Sequence, residues 1–279
     1  MKLVIVSAVG TSLLRNFISS QRFQDTIKKF NMFDWDKLAV DDPRNAYPDG
    51  EVCRAGKDAE LLNALRSFVL ENPSRAMAEV NGVESALRVL GASRGDTEVM
   101  LFASQTCNSI LCASIARDAL KALGYSNVEI IEVKALRSVD EFDQGLVELI
   151  DKVIERVVDY VRRGYRVAVS ATPGFKAETA FLTIVAMLLG APSIYIHESF
   201  REPVDLPPLP IRLDFDRIAD ALNIFRSNQC IDKGLAINIL GNKLKQYIEL
   251  QILKERPEGL VCIRPWITKL LEITKALTY

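Results

Sequence analysis

The chain has 279 residues, of which 49% are hydrophobic and 25% are charged, and its 35 basic and 36 acidic residues leave a formal net charge of −1. This composition is too apolar for a disordered chain, and the length suits one large α/β domain or a domain with a smaller appendage. Near-zero net charge argues against a protein that coats nucleic acid by bulk electrostatics, although a specific anion pocket stays open. The single histidine, His197, excludes a metal centre built from several histidines.

The cysteines and the apolar runs indicate in which cellular compartment the protein is expected. No CxxC pair occurs among the five cysteines, which disfavours a zinc ribbon and predicts buried free thiols in a reducing compartment. These cysteines are Cys53, Cys107, Cys112, Cys230 and Cys262. The opening apolar run Leu3–Val6 predicts a buried strand and not a leader peptide. Gly190 and Pro192 break the charge-free run 179–196, whereas a membrane helix needs about 20 apolar residues. We therefore expect a soluble, cytoplasmic protein that does not associate with membranes.

Short β-branched runs alternate with segments of helical period over residues 1–200, which predicts an α/β fold. The expected architecture is a Rossmann-like, mainly parallel sheet with helices on both faces. Strands are predicted at Leu3–Ser7, Glu98–Ala103, Val128–Glu132, Arg166–Ser170 and Ser193–His197. Apolar residues at three- and four-residue steps predict one long amphipathic helix between Phe142 and Val161.

A longer insertion separates the first strand and its helix from the second strand. Residues 31–56 look irregular, and they fit either a lid over a site or a surface loop. Two helices are predicted after them and meet at Asn72-Pro73. Asn72 suits the N-cap of the second helix, Pro73 its first turn, and Gly91 its end.

The C-terminal part is predicted to be a separate unit. Four of the eleven prolines lie within residues 201–212, so we expect a linker there without regular structure. The predicted organisation is a ligand-binding domain over 1–200, this linker, and a small, mostly helical domain over 213–279, for which a winged-helix form stays open. Its predicted elements are helices at Arg217–Arg226 and Lys233–Lys254, a turn at Pro257–Gly259 and a last segment at Pro265–Leu277.

Two turns of the predicted sheet could bind an anion. Ligands of open parallel sheets bind beyond the carboxyl ends of the strands, where helix N-termini point. The turn after the first strand offers Gly10, Thr11 and Ser12. The turn after the fourth strand consists of Thr172, Pro173, Gly174, Phe175 and Lys176. Neither turn matches a dinucleotide fingerprint or a P-loop. Each alone also fits ordinary helix capping, but two at one edge of one sheet predict a phosphate ligand.

A third polar segment follows the second strand. Ser104, Gln105 and Asn108 could hydrogen-bond nucleobase edges or close the pocket, and helix capping or solvent exposure explains Gln105 and Asn108 equally well. His197 stands at a strand end with no partner histidine and no GxSxG motif in the chain, so a serine hydrolase is disfavoured. We predict no metal site and no cofactor.

The two turns, with a helical unit at the C-terminus, resemble the CRISPR-associated Rossmann-fold (CARF) proteins, and among them the archaeal CRISPR ring nuclease 1 group. The resemblance covers roughly residues 1–200. It implies a homodimer that binds cyclic tetra-adenylate, the second messenger of type III CRISPR complexes. A serine of the first turn and a lysine of the fourth-strand turn serve cleavage in ring nucleases, and these map onto Ser12 and Lys176. Where some members carry arginines after the second strand, this chain has Gln105-Thr106.

The resemblance implies a chemical mechanism without metal or histidine. Each ribose 2′-hydroxyl is already a nucleophile beside its phosphorus, so alignment and charge stabilisation suffice to give linear di-adenylate with a 2′,3′-cyclic phosphate and a 5′-hydroxyl. Lys176 would stabilise the developing charge and Ser12 would orient the reacting groups. Because no general acid or base stands out in the sequence, we expect slow turnover that switches antiviral signalling off.

Three alternatives remain open at this stage. The chain could be a sensor that binds the same ring without cutting it and whose C-terminal unit is a ligand-controlled DNA-binding module. That unit has many lysines and arginines but also many acidic residues, so no basic face is evident. An RNA-cutting C-terminal effector is disfavoured because no Arg-x-His pair occurs. The appendage could also merely complete the dimer.

Overall fold

The computed structural model describes residues 2–134, 139–174, 176–196, 202–207, 209, 214–264 and 267–268. The chain divides into two compact units, Met1–Pro210 and Ile211–Tyr279. The strands of the first unit are β1 (Leu3–Ala8), β2 (Thr97–Ser104), β3 (Asn127–Val133), β4 (Arg166–Ser170), β5 (Ser193–Ile196) and β6 (Pro203–Leu206). Its helices are α1 (Ser12–Ile18), α2 (Gln24–Lys29), α3 (Glu51–Ala55), α4 (Ala59–Glu71), α5 (Pro73–Ala76), α6 (Ala78–Leu90), α7 (Cys107–Ala122), α8 (Val139–Arg162) and α9 (Lys176–Leu188).

The strands form one sheet in the order β3-β2-β1-β4-β5-β6, in which β1 to β5 are parallel and β6 is antiparallel to β5. The Rossmann-like prediction is confirmed, and each predicted strand is found within one residue of its predicted ends among the described residues. His197 lies outside the described residues. After β1, the strands β2 and β3 are added on one side of β1, and β4 and the strands after it are added on the other side. The switch point of this topology, where ligands of such sheets bind, therefore lies between β1 and β4.

The two faces of the sheet have separate cores. Leu3 and Ile5 point to a core with α1, α4, α6 and α7, whereas Val4 and Val6 point to a core with α8 and α9. This alternation is the two-residue period of a strand that is buried on both sides. The long helix α8 spans the predicted range Phe142–Val161, and Leu149, Val153 and Val157 on it pack into the second core.

Three expectations for the first unit need correction. Residues 31–56 contain α3 and a 3₁₀ turn at Pro43–Asn45, and the side chain of Trp35 in this segment is fully buried. The segment is therefore part of the core and not a solvated loop. The predicted helix after Asn72 is two helices, because Met77 takes an extended conformation between α5 and α6. Within the Pro-rich segment, β6 forms regular structure at the edge of the sheet, a position where proline is tolerated.

Two predictions at the ends of these helices are confirmed. The Asn72 side chain caps α5 by accepting the amide N–H of Arg75, and Gly91 ends α6 in a left-handed conformation.

The second unit combines helices with a small sheet. Its elements are α10 (Ala219–Ile224), β7 (Cys230–Asp232), α11 (Lys233–Leu240), α12 (Asn242–Glu249), β8 (Leu253–Arg256) and β9 (Leu260–Ile263), and its sheet order is β7-β9-β8. The predicted single helix Lys233–Lys254 is divided because Gly241 has φ +53° and ψ −128°, and the chain then enters β8. Here α11 and α12 are joined by a tight turn and followed by the β8–β9 hairpin, an element order that is compatible with a winged-helix form. Most of Pro265–Leu277 lies outside the described residues.

Candidate active site

The turns that follow β1 and β4 touch each other at the switch point. A Cβ added to Gly10 would lie 3.2 Å from the backbone nitrogen of Gly174, and one added to Gly174 would lie 2.4 Å from the Cβ of Ala8. Gly174 also has φ +98°, a conformation that side-chain-bearing residues rarely adopt. Both glycines are thus required for the close approach of the two turns, which brings together two of the segments predicted to bind an anion.

Ser12 stands at the start of α1 and is bound to a residue that sequence reasoning missed. Its hydroxyl donates to Oε2 of Glu79 over 3.1 Å and accepts the backbone N–H of Ala78 over 3.0 Å. The amide of Gly10 donates to Oε1 of the same carboxylate over 2.7 Å. In this structure the polar group bound by the first turn is therefore the side chain of Glu79.

Glu79 is fully buried, although glutamate is seldom buried without partners. Burial raises the pKa of its carboxyl group above the ordinary value of 4.5, and the Gly10 amide, the Ser12 hydroxyl and the charge of Arg15 oppose that rise. The residue also lies in the first turn of α6, where the helix dipole favours a negative charge. The break at Met77 creates this helix start, so the same irregularity supplies both the carboxylate and the Ala78 amide.

One sequence signal could have revealed Glu79. Val80, Val83, Ala86 and Leu87 form the buried side of α6, and Glu79 lies four residues before Val83 on that side. A carboxylate among the apolar positions of an amphipathic helix indicates a polar partner inside the protein.

Lys176 is exposed at the first position of α9, directly after the β4 turn. The turn itself is tied to its neighbours: the Thr172 hydroxyl accepts the backbone N–H of Ile196 over 2.8 Å, and the hydroxyl of Thr179 donates to the carbonyl of Pro173 over 2.8 Å. Phe175, which was predicted to contact the ligand, lies outside the described residues. A cation on a rigid helix start beside the switch point is available to an anionic ligand.

The polar residues after β2 have different environments. Ser104 is half-buried at the end of the strand. Gln105 donates from Nε2 to Oε2 of Glu132 over 3.3 Å. Asn108 is 5% exposed, and its backbone N–H and side-chain amide donate to Asn45 and to the carbonyl of Trp35. The polar groups of Asn108 therefore hold the fold together, whereas Gln105 and Ser104 keep partial access to solvent.

The segment 31–56 contacts two of these turns. Thr11 donates its hydroxyl to the carbonyl of Asp36 over 3.0 Å, and Oδ1 of Asn45 accepts the amide N–H of Asn108 in the first turn of α7. A disulfide between Cys53 and Cys107 joins α3 to the start of α7. Segment 31–56, which includes α3, therefore holds the β1 turn and the start of α7 in place through these contacts.

The expectation of free thiols is wrong for four of the five cysteines. Cys53 and Cys107 form one disulfide, and Cys230 and Cys262, which face each other on β7 and β9, form a second. Cys112 is a buried free thiol.

The part of the chain that the structure describes lacks both a membrane-spanning helix and a cluster of metal-binding side chains. It contains no helix that is both long enough and apolar enough to span a membrane. Within the same ranges, no three histidine, cysteine, aspartate or glutamate side chains come together as a metal site would require.

A comparison with known protein families finds a match for the segment from α5 to β6. Residues 74–209 match a CRISPR-associated family. The family model is described as CRISPR-associated protein (Cas_APE2256), and it covers just under half of the chain. This CRISPR-associated match includes Glu79, the β4 turn and Lys176, and it begins after the β1 turn that carries Ser12.

Proposed function

We propose that this protein is a CARF-type ring nuclease that binds cyclic tetra-adenylate as a homodimer and cleaves it without a metal ion. The observation that carries the proposal is the contact between the β1 and β4 turns at the switch point, since it puts Ser12 and Lys176 on two adjacent helix starts. The match to a CRISPR-associated family supports the biological setting. A few polar groups and one lysine can hold a cyclic tetranucleotide without bulk positive charge, which agrees with the net charge of −1.

The proposed reaction needs no external nucleophile. The ribose 2′-oxygen attacks the adjacent phosphorus, the bond from phosphorus to O5′ breaks, and the products are a 2′,3′-cyclic phosphate and a 5′-hydroxyl. Lys176 stabilises the charge that develops on the phosphate and on the departing O5′, which takes up a proton from the lysine or from water. A ring of four nucleotides is compatible with a two-fold axis, so a homodimer would present the same two turns to opposite nucleotides of the ring.

Incubation with cyclic tetra-adenylate in excess EDTA tests the proposal. We expect linear di-adenylate with a cyclic phosphate end, and a loss of about 10²-fold or more in rate for Lys176→Ala, since one donor to a developing oxyanion contributes about that much. Lys121→Ala, which removes an exposed lysine at the end of α7, is the matched control and keeps the wild-type rate. No linear product, or full activity in Lys176→Ala, would refute the proposal.

The second unit favours one alternative, a sensor that binds the ring intact and controls a DNA-binding module. The observation behind it is the order of α11, α12 and the β8–β9 hairpin, which is compatible with a winged-helix form. The second helix of such a unit enters the major groove. On α12, Lys243 is paired with Asp220 and Lys245 with Glu249, so acidic neighbours offset these two cations. A salt-sensitive DNA shift that changes on ligand addition, with the ring recovered intact, would favour the sensor.

A further inference from the structure

The Ser12 hydroxyl has limited capacity for a ligand because two of its hydrogen-bonding positions are occupied. A hydroxyl has one proton to donate and two lone pairs that accept. Here the proton is directed at Glu79 and one lone pair takes the Ala78 amide, which leaves one lone pair. With Glu79 ionised, Ser12 can therefore only accept a hydrogen bond from an incoming group.

This restriction determines which group of a nucleotide can form a hydrogen bond with Ser12. A phosphate oxygen is an acceptor, so it cannot bind to Ser12 unless the contact with Glu79 breaks and leaves a buried carboxylate short of a donor. A ribose 2′-hydroxyl is a donor and fits the free lone pair. The geometry of the β1 turn therefore suits the nucleophile better than the phosphate.

We propose that Glu79 is a positioning residue for ring cleavage, whose carboxylate fixes Ser12 as the acceptor for the attacking 2′-hydroxyl and takes up the proton that Ser12 passes on. This inference rests on the proposed function. In the step, the 2′-O–H proton moves to Oγ of Ser12 while the proton of Ser12 moves to Oε2 of Glu79. The 2′-oxygen bonds to phosphorus, the P–O5′ bond breaks, and O5′ gains a proton from Lys176 or water. Exchange with water then restores Glu79 and Lys176.

The surroundings of Glu79 suit this part of the reaction. Arg15 on α1 is the cation that favours its ionised form, and burial, followed by the charge of Glu79, raises the pKa of the Cys112 thiol on α7. The β1 turn adds the Gly10 amide and the Ser12 hydroxyl. Because burial raises the pKa of Glu79 above the ordinary value of 4.5, the carboxylate is a better proton acceptor than an exposed glutamate. The chain thus has the base that its sequence did not reveal.

Glu79→Gln is the direct test, since glutamine keeps the shape and can accept the Gly10 amide but cannot take a proton. A folded-state pKa above 4.5 means that Glu79 costs stability as pH rises through that pKa, and the substitution removes this cost at neutral pH. We expect ring affinity within about two-fold of wild type and single-turnover cleavage about 10²–10⁴-fold slower. Glu84→Gln on the same helix, where Glu84 contacts Arg94 and Tyr125, is the matched control.

The pH profile separates this role from a purely structural one. Wild-type cleavage should rise with pH above 4.5 as Glu79 ionises, and this rise should vanish in both Glu79→Gln and Ser12→Ala. In the relay the two variants act on one step, so the double variant should be no slower than the slower single variant.

The outcomes distinguish the inference about Glu79 from the proposed ring-nuclease function. If wild type cleaves the ring but Glu79→Gln retains its rate, or Ser12→Ala retains the rise with pH, the inference about Glu79 is wrong and the proposed function stands. If Glu79→Gln fails to fold, the profile of Ser12→Ala still decides. A wild-type protein that binds the ring and never cleaves it overturns the proposed function and this inference together.

Discussion

The contact between the β1 and β4 turns predicts that Gly174→Ala is unusually damaging. The new Cβ would lie 2.4 Å from the Cβ of Ala8, so the two turns must separate by about 1 Å to reach an ordinary contact of 3.4 Å. Gly164 has a similar backbone, φ +80° against +98°, but a Cβ there would meet nothing within 4 Å. The two substitutions therefore share the backbone penalty and differ in the packing penalty.

The magnitudes follow from these two terms. A left-handed conformation costs a residue other than glycine about 1–2 kcal/mol, and the reduced entropy of the unfolded chain returns about 0.4–1 kcal/mol. Gly164→Ala should thus lower the free energy of unfolding by at most about 1.6 kcal/mol. Overpacking adds about 1–3 kcal/mol, which gives roughly 1–4.6 kcal/mol for Gly174→Ala. For a unit of this size the latter corresponds to a drop in Tm of roughly 2–18 °C.

Urea and thermal denaturation of the full chain, followed by circular dichroism, measure both variants. Gly174→Ala should also slow ring cleavage, because any relief of the clash moves the β4 turn away from Gly10, whereas Gly164→Ala should leave the rate unchanged. Equal losses of stability in the two variants would refute the close packing of the turns.

Three further predictions concern buried groups. A Cβ at Gly82 would lie 2.1 Å from Oγ of Ser170, a buried hydroxyl without a hydrogen-bond partner. Ser170→Ala should therefore be neutral or stabilising and should rescue much of the loss caused by Gly82→Ala, as a double-mutant cycle would measure. Thiol titration of the unreduced, denatured chain should find only Cys112, and reduction should lower stability by up to about 4 kcal/mol per disulfide because the closed loops are long. Burial alone would raise the pKa of Glu98, but hydrogen bonds, led by that from Tyr165, outweigh it and lower the pKa below 4.5. The stability from Glu98 is thus present above pH 4.5 and lost as pH falls through the folded-state pKa, so Glu98→Gln should flatten the acid limb of the unfolding curve.

Each of these has a clear contrary result. Additive effects of the Gly82 and Ser170 substitutions would show that the two side chains do not compete for the same space. Five titratable thiols would mean that the cysteines are not paired. An unchanged acid limb in Glu98→Gln would assign acid sensitivity to other carboxylates.

The sequence by itself determined the five parallel strands of the main sheet, but not the antiparallel edge strand β6. The bounds of the strand Arg166–Ser170 agree with the prediction to the residue. A short run of apolar, β-branched residues is typical of a parallel strand, because such a strand is buried on both faces. The β1 and β4 turns were also recognisable, since glycine, hydroxyl residues and lysine after parallel strands mark ligand positions by local chemistry. Ser12 and Lys176 could be selected from these patterns and from the family resemblance.

Only the tertiary structure decided what those turns touch. The carboxylate of Glu79 comes from 67 residues beyond Ser12, and it reaches Ser12 because α5 ends at Met77 and α6 starts afresh beside α1. The pairing of Cys53 with Cys107, across 54 residues, arises in the same way from helix packing. Periodicity and turn signals report local conformation, whereas a buried polar contact depends on which distant elements pack together. The partner of Ser12 was therefore invisible in the sequence around Ser12.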